Sequence, residues 1–514
     1  MNCRVIICAF ALVLNAACGA MAEPATGKPG AAVPAKTEYS PLFAPYDSSG
    51  KSQAKPKSPS KTKGKSKVAA VPEVTMDWAR FQTENLTIQN FSSGKGDVRS
   101  TYPIFLQTIY TRLLDWEPRV QPLVQGAGES ADSECRLSFS SSDLKTEVAE
   151  VSQFQKDKPE CVFKEGASDT IGLKKLLQAL SVHFDVSSPK HFRKVIFRLK
   201  TENDQPILVR GLLGLHDDKV ARPLVIMRLG VHGNVDEFLA ERYIGKAAYE
   251  DFDYNILVLE NLTSHGYLVK DNPITFAGVE EGLHTFQILQ TLKQKNSVLG
   301  SLISDVHLFG ISLGAHGVFV TTMMDQANQN YLKSVTAYCP MINLHETMNY
   351  HSKTSFAEAG VDLWNRMRLR ALPDRVEELQ RTEWYKTAYD FKPRFMPAIL
   401  DYLDRTQKRP AIRIQQDVNW PKGFLKHLET SESFFELNNF WPFFENNRTP
   451  LLIVTTPNDP LVPVDLNADL IVQKKQNGRF EKTEVLELDR GVHCALPVEY
   501  QWSFIVDLLK AQWR

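Results

Sequence analysis

From about residue 190 onward, short apolar segments alternate with helix-like segments, and this alternation restricts the fold more than any other feature of the chain. The strand-like segments are 191–199, 206–215, 224–229, 256–259, 306–309, 335–338, 451–455 and 485–488. The helix-like segments are 235–249, 278–293, 313–325, 463–474 and 497–513. Because apolar strands that alternate with helices are covered on both faces, we expect an α/β fold with a mostly parallel eight-stranded sheet and helices on both faces. The first two strands form a hairpin.

The fifth strand runs directly into Gly310-Ile311-Ser312-Leu313-Gly314, and a helical segment follows. A serine on so tight a turn takes a strained backbone conformation, and the positions two before and two after it have no room for a side chain. The turn lifts the Ser312 hydroxyl clear of the sheet and directs the first N–H groups of the helix toward a bound group. Taken alone, the motif also fits an ordinary strand-to-helix turn.

This strand, Gly-x-Ser-x-Gly and helix arrangement resembles the nucleophile elbow of the α/β-hydrolases. The resemblance covers roughly residues 190–512 apart from an insertion. It implies the α/β-hydrolase fold, with Ser312 as nucleophile and an acid and a base that follow it in the order Ser, Asp, His. The working groups then lie at the carboxyl ends of the strands.

The loop after the third strand reads Leu229-Gly230-Val231-His232-Gly233-Asn234, and its His-Gly pair resembles the oxyanion loop of that family. A tetrahedral intermediate needs two N–H donors, which we expect to be the amides of Leu313 and Asn234. His232 and Gly233 are expected to contact the substrate, since Gly233 allows a close approach. The alternative is a turn in which Asn234 caps the next helix.

Two further loops resemble those that carry the acid and the base of the family. Asp459 follows the seventh strand in Thr456-Pro457-Asn458-Asp459-Pro460, and His493 follows the eighth. The carboxylate would orient the imidazole, which takes the Ser312 proton and returns it to the leaving group. Asp465 and Asp469 are alternative candidates for the acid. We assign Asp465 to the start of the next helix and Asp469 to the solvated face of that helix. His265 and His316 are expected to be structural.

Residues 341–448 separate the sixth and seventh strands, where α/β-hydrolases insert a cap. The segment is mainly helical in pattern and rich in aromatic residues, so we expect it to roof an apolar pocket. Phe440 and Trp441 lie near its return point and are predicted to contact the substrate. The alternative is that these rings form the core of the cap.

The N-terminal part divides into a signal peptide (1–22), a linker (23–75) and a lobe (76–188) with helical patterns at 102–116 and 171–184. The hydrolase core comprises 189–340 and 449–514. Cleavage after Ala22 is favoured over lipidation of Cys18, because Asn15 departs from the lipoprotein pattern. The protein is therefore expected to be exported, in a periplasmic or secreted form, or lipid-anchored at Cys18.

The composition limits the partners. The net charge is zero and 43% of the residues are hydrophobic, which gives no case for a nucleic-acid partner. Residues 51–67 carry lysines and no acid, which is typical of a solvated tether and also fits peripheral association with an anionic envelope. We expect no metal and no organic cofactor. The oligomeric state stays open.

Three of the seven cysteines, Cys3, Cys8 and Cys18, belong to the signal peptide. In an exported protein Cys135 and Cys161 are expected to form a disulfide. Cys339 and Cys494, in the hydrolase core, are expected to be free buried thiols.

Together these features predict an exported serine hydrolase that cleaves a small-molecule or lipid carboxylic ester through an acyl-enzyme. A peptidase or thioesterase with the same triad is the nearest alternative. A protein that keeps this fold as a non-catalytic binding scaffold in the envelope is the other, since fold does not establish function.

Overall fold

The computed structural model describes residues 76–89, 135–164, 182, 184, 186 and 190–513. Within the last range the gaps are 202–204, 237–240, 270–271, 277, 295, 351–361, 363–364, 367, 370, 381–393, 414–417, 458 and 492. The predicted signal peptide, the linker and the predicted helix 102–116 lie outside the described residues, as does nearly all of 171–184.

One nine-stranded sheet, with the strand order β1-β2-β3-β5-β4-β6-β7-β8-β9, forms the centre of the molecule. Its strands are β1 (Leu86–Gln89), β2 (Phe192–Leu199), β3 (Ile207–Gly214), β4 (Arg222–Arg228), β5 (Asn255–Leu259), β6 (Ile303–Ile311), β7 (Leu332–Tyr338), β8 (Leu451–Thr455) and β9 (Thr483–Glu487). Strands β4 to β9 pair in parallel, whereas β1, β2 and β3 run antiparallel to their neighbours. The mostly parallel sheet and the α/β-hydrolase fold are confirmed.

All eight predicted strands are present, and β1 is an additional strand that the sequence pattern did not indicate. It has only four residues and pairs with the outer edge of β2. A strand this short has too few alternating positions to be recognised, so its tertiary pairing with β2 defines it.

The described helices cover both faces of the sheet. They are α1 (Leu144–Asp157), α2 (Pro159–Val162), α3 (Arg242–Lys246), α4 (His265–Leu268), α5 (Gly278–Lys293), α6 (Leu313–Ala327), α7 (Leu344–Tyr350), α8 (Glu377–Gln380), α9 (Phe395–Thr406), α10 (Phe424–Thr430), α11 (Phe434–Leu437), α12 (Trp441–Phe444), α13 (Ala468–Lys475) and α14 (Trp502–Gln512). Helix α3 continues as a π-helical turn, Ala247–Asp251. Among these helices we find none with the length and apolarity that a bilayer span requires.

Helix α1 lies in the polar, serine-rich stretch where no helix was expected. The Asp143 side chain caps its first turn by accepting the Thr146 N–H. Phe154 of α1 stacks on Phe504 of the C-terminal helix, with ring centroids 6.4 Å apart. The low hydrophobicity of the segment hid the helix, because one narrow apolar stripe suffices to hold it against the sheet.

The apolar core consists of two layers, one on each face of the sheet. Neighbouring strand residues alternate between them: Ile226 and Leu308 belong to one layer, and Val225 and Phe309 to the other. This alternation follows from the two-residue period of a strand and favours apolar residues at most strand positions. It explains why the central strands read as continuous apolar runs in the sequence.

Candidate active site

Ser312 stands at the junction of β6 and α6, in a backbone conformation that disfavours any side chain. Its φ is +55° and its ψ is −124°. The Ser312 N–H donates to the carbonyl of Tyr338, the last residue of β7, at 2.8 Å. Such a conformation costs about 1–3 kcal/mol and persists only where the surrounding structure enforces it. A strained backbone at Ser312 is what the sequence predicts for a serine on this tight turn.

The two flanking glycines are required by space. A Cβ atom on Gly314 would lie 2.3 Å from the carbonyl oxygen of Leu229, and one on Gly310 would lie 2.7 Å from Cα of Ala315. A side chain at Gly314 would push the elbow away from the end of β4, and a side chain at Gly310 would push the end of β6 away from α6. The steric reason given for the Gly-x-Ser-x-Gly spacing therefore applies to this turn.

The predicted acid and base meet, although 34 positions separate them in the sequence. Nδ1 of His493 lies 2.8 Å from Oδ2 and 3.1 Å from Oδ1 of Asp459. Oδ1 of Asp459 also accepts the backbone N–H groups of Leu461 and Val462. The carboxylate is thus held by its own loop, and it fixes the imidazole tautomer that has its proton on Nδ1.

The electrostatic surroundings favour the protonated form of His493. Burial by itself lowers the pKa of the ring, but the Asp459 carboxylate and, more weakly, that of Glu241 raise the pKa above its ordinary value. A carboxylate that contacts a neutral imidazole raises the proton affinity of the ring and so makes it a stronger base.

The Ser312 side chain is almost fully buried. The residue is only 3% exposed, and Oγ makes no hydrogen bond to any residue that the structure describes. The structure therefore brings the acid and base together but shows no bond between Ser312 and His493. Catalytic hydrogen bonds of this kind are often long before substrate binds.

The loop 229–234 approaches Ser312 through Gly230 rather than Gly233. A Cβ atom on Gly230 would lie 3.3 Å from Cβ of Ser312, whereas one on Gly233 would lie 2.3 Å from Cβ of Leu229 in the same loop. The turn of the loop itself therefore requires a glycine at position 233, and the expected contact of Gly233 with a substrate stays a prediction.

Two amides of this loop remain for an incoming oxygen. The engaged amides are those of Leu229, Gly230, His232 and Gly233. The amides of Val231 and Asn234 make no hydrogen bond to the described residues, and neither does that of Leu313 at the start of α6. An N–H at the first helical position has no intrahelical partner, so it is available to a ligand.

His232 is buried and engaged on both ring nitrogens, which corrects its assignment as a substrate contact. Nδ1 lies 3.3 Å from the Thr263 carbonyl, and Nε2 lies 2.8 Å from the side-chain amide of Asn365, between β7 and β8. Burial lowers the pKa of His232 to about 4, so the ring is neutral. The His232 ring thus joins the loop 229–234 to the segment between β7 and β8.

The Asn234 side chain belongs to a partly buried ionic cluster. Its Oδ1 accepts from Nη2 of Arg210 at 3.0 Å, and the same guanidinium pairs with Glu260 and Asp236. The cluster fixes the outer end of the loop, and Asn234 belongs to it through its side chain.

Phe440 and Trp441 are packed as core residues, so their assignment as substrate contacts is also corrected. Phe440 is 0% exposed and Trp441 is 8% exposed. Trp441 lies 4.9 Å from the Phe319 ring of α6, and its Nε1 donates to the Ile342 carbonyl. These contacts join α12 to the back of α6.

The rival acids and the other histidines lie elsewhere. Asp465 is exposed, and Asp469 lies in the first turn of α13. His316 of α6 is buried against Phe440, and its Nδ1 lies 2.5 Å from the Met341 carbonyl. His265 begins the short helix α4. Only Asp459 among the three acids contacts His493.

Both cysteine pairs of the described chain form disulfides. The Cys135–Cys161 bridge is confirmed. Cys339 and Cys494, expected as free thiols, are bonded to each other across 155 positions. The expectation was wrong because the sheet brings the end of β7 next to the loop after β9, a proximity that the sequence does not show. Sγ of Cys339 lies within 4.8 Å of the Asp459 and His493 side-chain atoms.

Glu241 is a site residue that sequence reasoning missed. It precedes α3, is buried, and accepts the Gly230 N–H through Oε1 at 2.9 Å. Burial raises the pKa of its carboxyl. The signal that could have indicated it is an acid among the apolar residues of the helix-like segment 235–249.

No protein-family model and no curated protein sequence matches the chain. Solved structures with a related arrangement include a protein proposed to be a hydrolase, from Legionella pneumophila, at 16% identity, 66% coverage of this chain, 93% coverage of that chain and a TM-score of 0.38.

Candida antarctica lipase A in its closed state has 14% identity, covers 59% of this chain and 73% of its own, and gives a TM-score of 0.34. A rice cell wall degrading esterase from Xanthomonas oryzae has 14% identity, coverages of 59% and 84%, and a TM-score of 0.34. Superpositions at these values are partial, so the fold assignment rests on the strand order and the elbow.

Proposed function

We propose that the protein is a serine hydrolase that cleaves carboxylic esters through an acyl-enzyme, with Ser312, His493 and Asp459 as its triad. The hydrogen bond between His493 Nδ1 and Asp459 Oδ2 is the observation that carries this proposal. It leaves Nε2 as the free base atom of the ring, in the same protein that holds Ser312 in a strained elbow. That combination has no evident use in a binding scaffold.

In the proposed reaction the Ser312 oxygen attacks the ester carbonyl carbon while Nε2 of His493 takes the hydroxyl proton. The tetrahedral intermediate collapses, the C–O bond to the alcohol breaks, and His493 returns the proton to the leaving alcohol. Water then attacks the acyl carbon with the same base, which releases the acid and restores Ser312. Asp459 stabilises the imidazolium that forms in each half-reaction.

The Leu313 amide is the first donor to the negative oxygen. For the second donor we favour the amide of Val231 over that of Asn234, because Gly230, the neighbour of Val231, lies against Ser312. The engaged side chain of Asn234 supports the same choice. Loss of one such donor typically costs on the order of 100- to 1000-fold in kcat.

The substrate we propose is a small-molecule or lipid ester, and we propose that the protein acts after export. The two disulfides support export, because such bonds persist in oxidising compartments. The signal pattern at residues 1–22 supports it as well.

A fluorophosphonate probe tests the proposal. The mature protein should be labelled at Ser312, Ser312→Ala should not be labelled, and circular dichroism should show the same fold for both. Ser334 is a control, because it carries a hydroxyl near the start of β7, away from the site. Its alanine variant should label like the parent.

Turnover of matched ester, thioester and aminoacyl amide substrates then separates the reaction classes. Preferential turnover of the amide would indicate a peptidase, and of the thioester a thioesterase. An unlabelled, folded parent that hydrolyses none of the three would leave the scaffold as the better account.

A further inference from the structure

The Cys339–Cys494 disulfide joins the two chain segments that carry the nucleophile and the base. Cys339 directly follows Tyr338, whose carbonyl accepts the Ser312 N–H at 2.8 Å. Cys494 directly follows His493. Each cysteine is therefore the sequence neighbour of a residue that matters for the site. Cys339 follows Tyr338, which holds the Ser312 N–H, and Cys494 follows His493.

The loop of His493 does not define the position of the ring by itself. His493 and Cys494 have φ values of +46° and +53°, and Cys339 has a φ of +43°. Each conformation is unfavourable for a residue with a side chain and needs external constraints to persist. The disulfide bonds Cys339 to Cys494, and His493 directly precedes Cys494 in the sequence.

The sulfur atoms lie inside the site. Sγ of Cys339 is within 4.8 Å of the Asp459 and His493 side-chain atoms, and both cysteines are fully buried. Apart from the disulfide, two described hydrogen bonds involve the backbones of these cysteines. The Cys339 N–H donates to the Val454 carbonyl, and the Tyr243 hydroxyl donates to the Cys494 carbonyl. Neither bond joins the nucleophile segment to the base.

We propose that the Cys339–Cys494 disulfide is a positioning element that holds His493 in register with Ser312 and Asp459. This inference rests on the proposed function of the triad. Formation of the bond removes two electrons and two protons from the thiols, and an oxidising envelope supplies the acceptor as a protein disulfide or a quinone-linked oxidase. The enzyme thus reaches full activity once that oxidation has occurred.

The test compares Cys339→Ala/Cys494→Ala with the parent and with Cys135→Ala/Cys161→Ala, which removes the other disulfide. An ester assay gives kcat and KM, fluorophosphonate gives the labelling rate, and each is measured from pH 5 to 9 below the unfolding temperature of every variant. The Asp459 and Glu241 carboxylates are the charged groups that face His493 among the described residues.

For Cys339→Ala/Cys494→Ala we expect kcat and the labelling rate to fall by about 100-fold with little change in KM, the effect of a misplaced catalytic group. The midpoint of the acid limb should move toward the ordinary histidine value of about 6.5 as the Asp459 contact loosens. Cys135→Ala/Cys161→Ala should lose stability and keep kcat.

A folded Cys339→Ala/Cys494→Ala variant with the parent's kcat and acid limb would overturn the proposal, and so would an equal loss of kcat in both variants. If that variant does not fold, the Cys135→Ala/Cys161→Ala protein is reduced with dithiothreitol and its thiols are counted. Labelling that stays constant as Cys339–Cys494 is reduced counts against the proposal, and labelling that falls with it counts in favour. A parent that fluorophosphonate never labels instead removes the proposed function itself.

Discussion

The backbone N–H of Gly230 donates a 2.9 Å hydrogen bond to Oε1 of Glu241, which places a buried carboxylate next to the loop that touches Ser312. The same carboxylate contributes to the raised pKa of His493. Glu241 thus connects the loop of the proposed oxyanion site with the proposed base.

Glu241→Gln should shift the acid limb of kcat/KM to lower pH. Glutamine keeps an oxygen that accepts the Gly230 N–H, but it removes the negative charge. The pKa of His493 should therefore fall. The pH profile of ester hydrolysis measures the shift. Glu250→Gln is the control, because Glu250 pairs with Lys246 and does not face His493. Identical midpoints in parent and Glu241→Gln would contradict the role of Glu241.

The parent should lose activity on the acid side with a midpoint above about 6.5. His493 acts as a base only when neutral, and its pKa is raised, so protonation begins at a higher pH than for a free imidazole. Rates of hydrolysis from pH 5 to 9 with a stable substrate measure the midpoint. A rate that does not vary from pH 5 to 8 is incompatible with a histidine base.

Asp459→Asn should keep the fold and remove most of the activity. Asparagine retains an oxygen for the Leu461 and Val462 amides, but it no longer stabilises the imidazolium or selects its tautomer. The corresponding change costs about 10⁴-fold in a serine protease of another fold. Asp465→Asn should leave kcat within about twofold of the parent. The reverse ranking would assign the acid to Asp465.

Gly314→Ala should destabilise the protein and abolish labelling by fluorophosphonate. The added Cβ would lie 2.3 Å from the Leu229 carbonyl oxygen, so the elbow must move. Gly478→Ala is the matched control: its φ of +75° is unfavourable for alanine, but no atom lies within 4 Å of the added Cβ. We expect that control to lose about 1 kcal/mol of stability and no activity. Full labelling of Gly314→Ala would show that the turn tolerates a side chain.

Phe440→Ala should cost about 3–5 kcal/mol of unfolding free energy, as expected for a buried phenylalanine. Because the ring packs against His316 and Trp441, short- and long-chain esters should be affected alike. Urea unfolding and kcat/KM on both esters measure the two effects. Selective loss of the long-chain ester with unchanged stability would restore Phe440 to the substrate pocket.

The elements of the sheet could be read from the sequence because their signals are local. The apolar runs of β4 to β8 and the glycines around Ser312 each follow from short-range rules. Helix α1 and strand β1 could not be predicted from the sequence, because their residues carry weak apolar patterns and depend on partners far along the chain. The same limitation applies to the rings of Phe440 and Trp441, since composition cannot distinguish a pocket wall from a core.

The sequence by itself determined the elbow at Ser312, the chain order of Ser312, Asp459 and His493, and the alternation that produces a parallel sheet. These are properties of spacing and of residue type. The tertiary structure decided which of these residues meet: the Asp459–His493 hydrogen bond, the Cys339–Cys494 disulfide and the approach of Glu241 to Gly230. The first two join segments whose distance depends on the strand order of the sheet, and strand order arises from long-range packing that local sequence patterns do not encode. The third depends on how the connection between β4 and α3 folds back on itself.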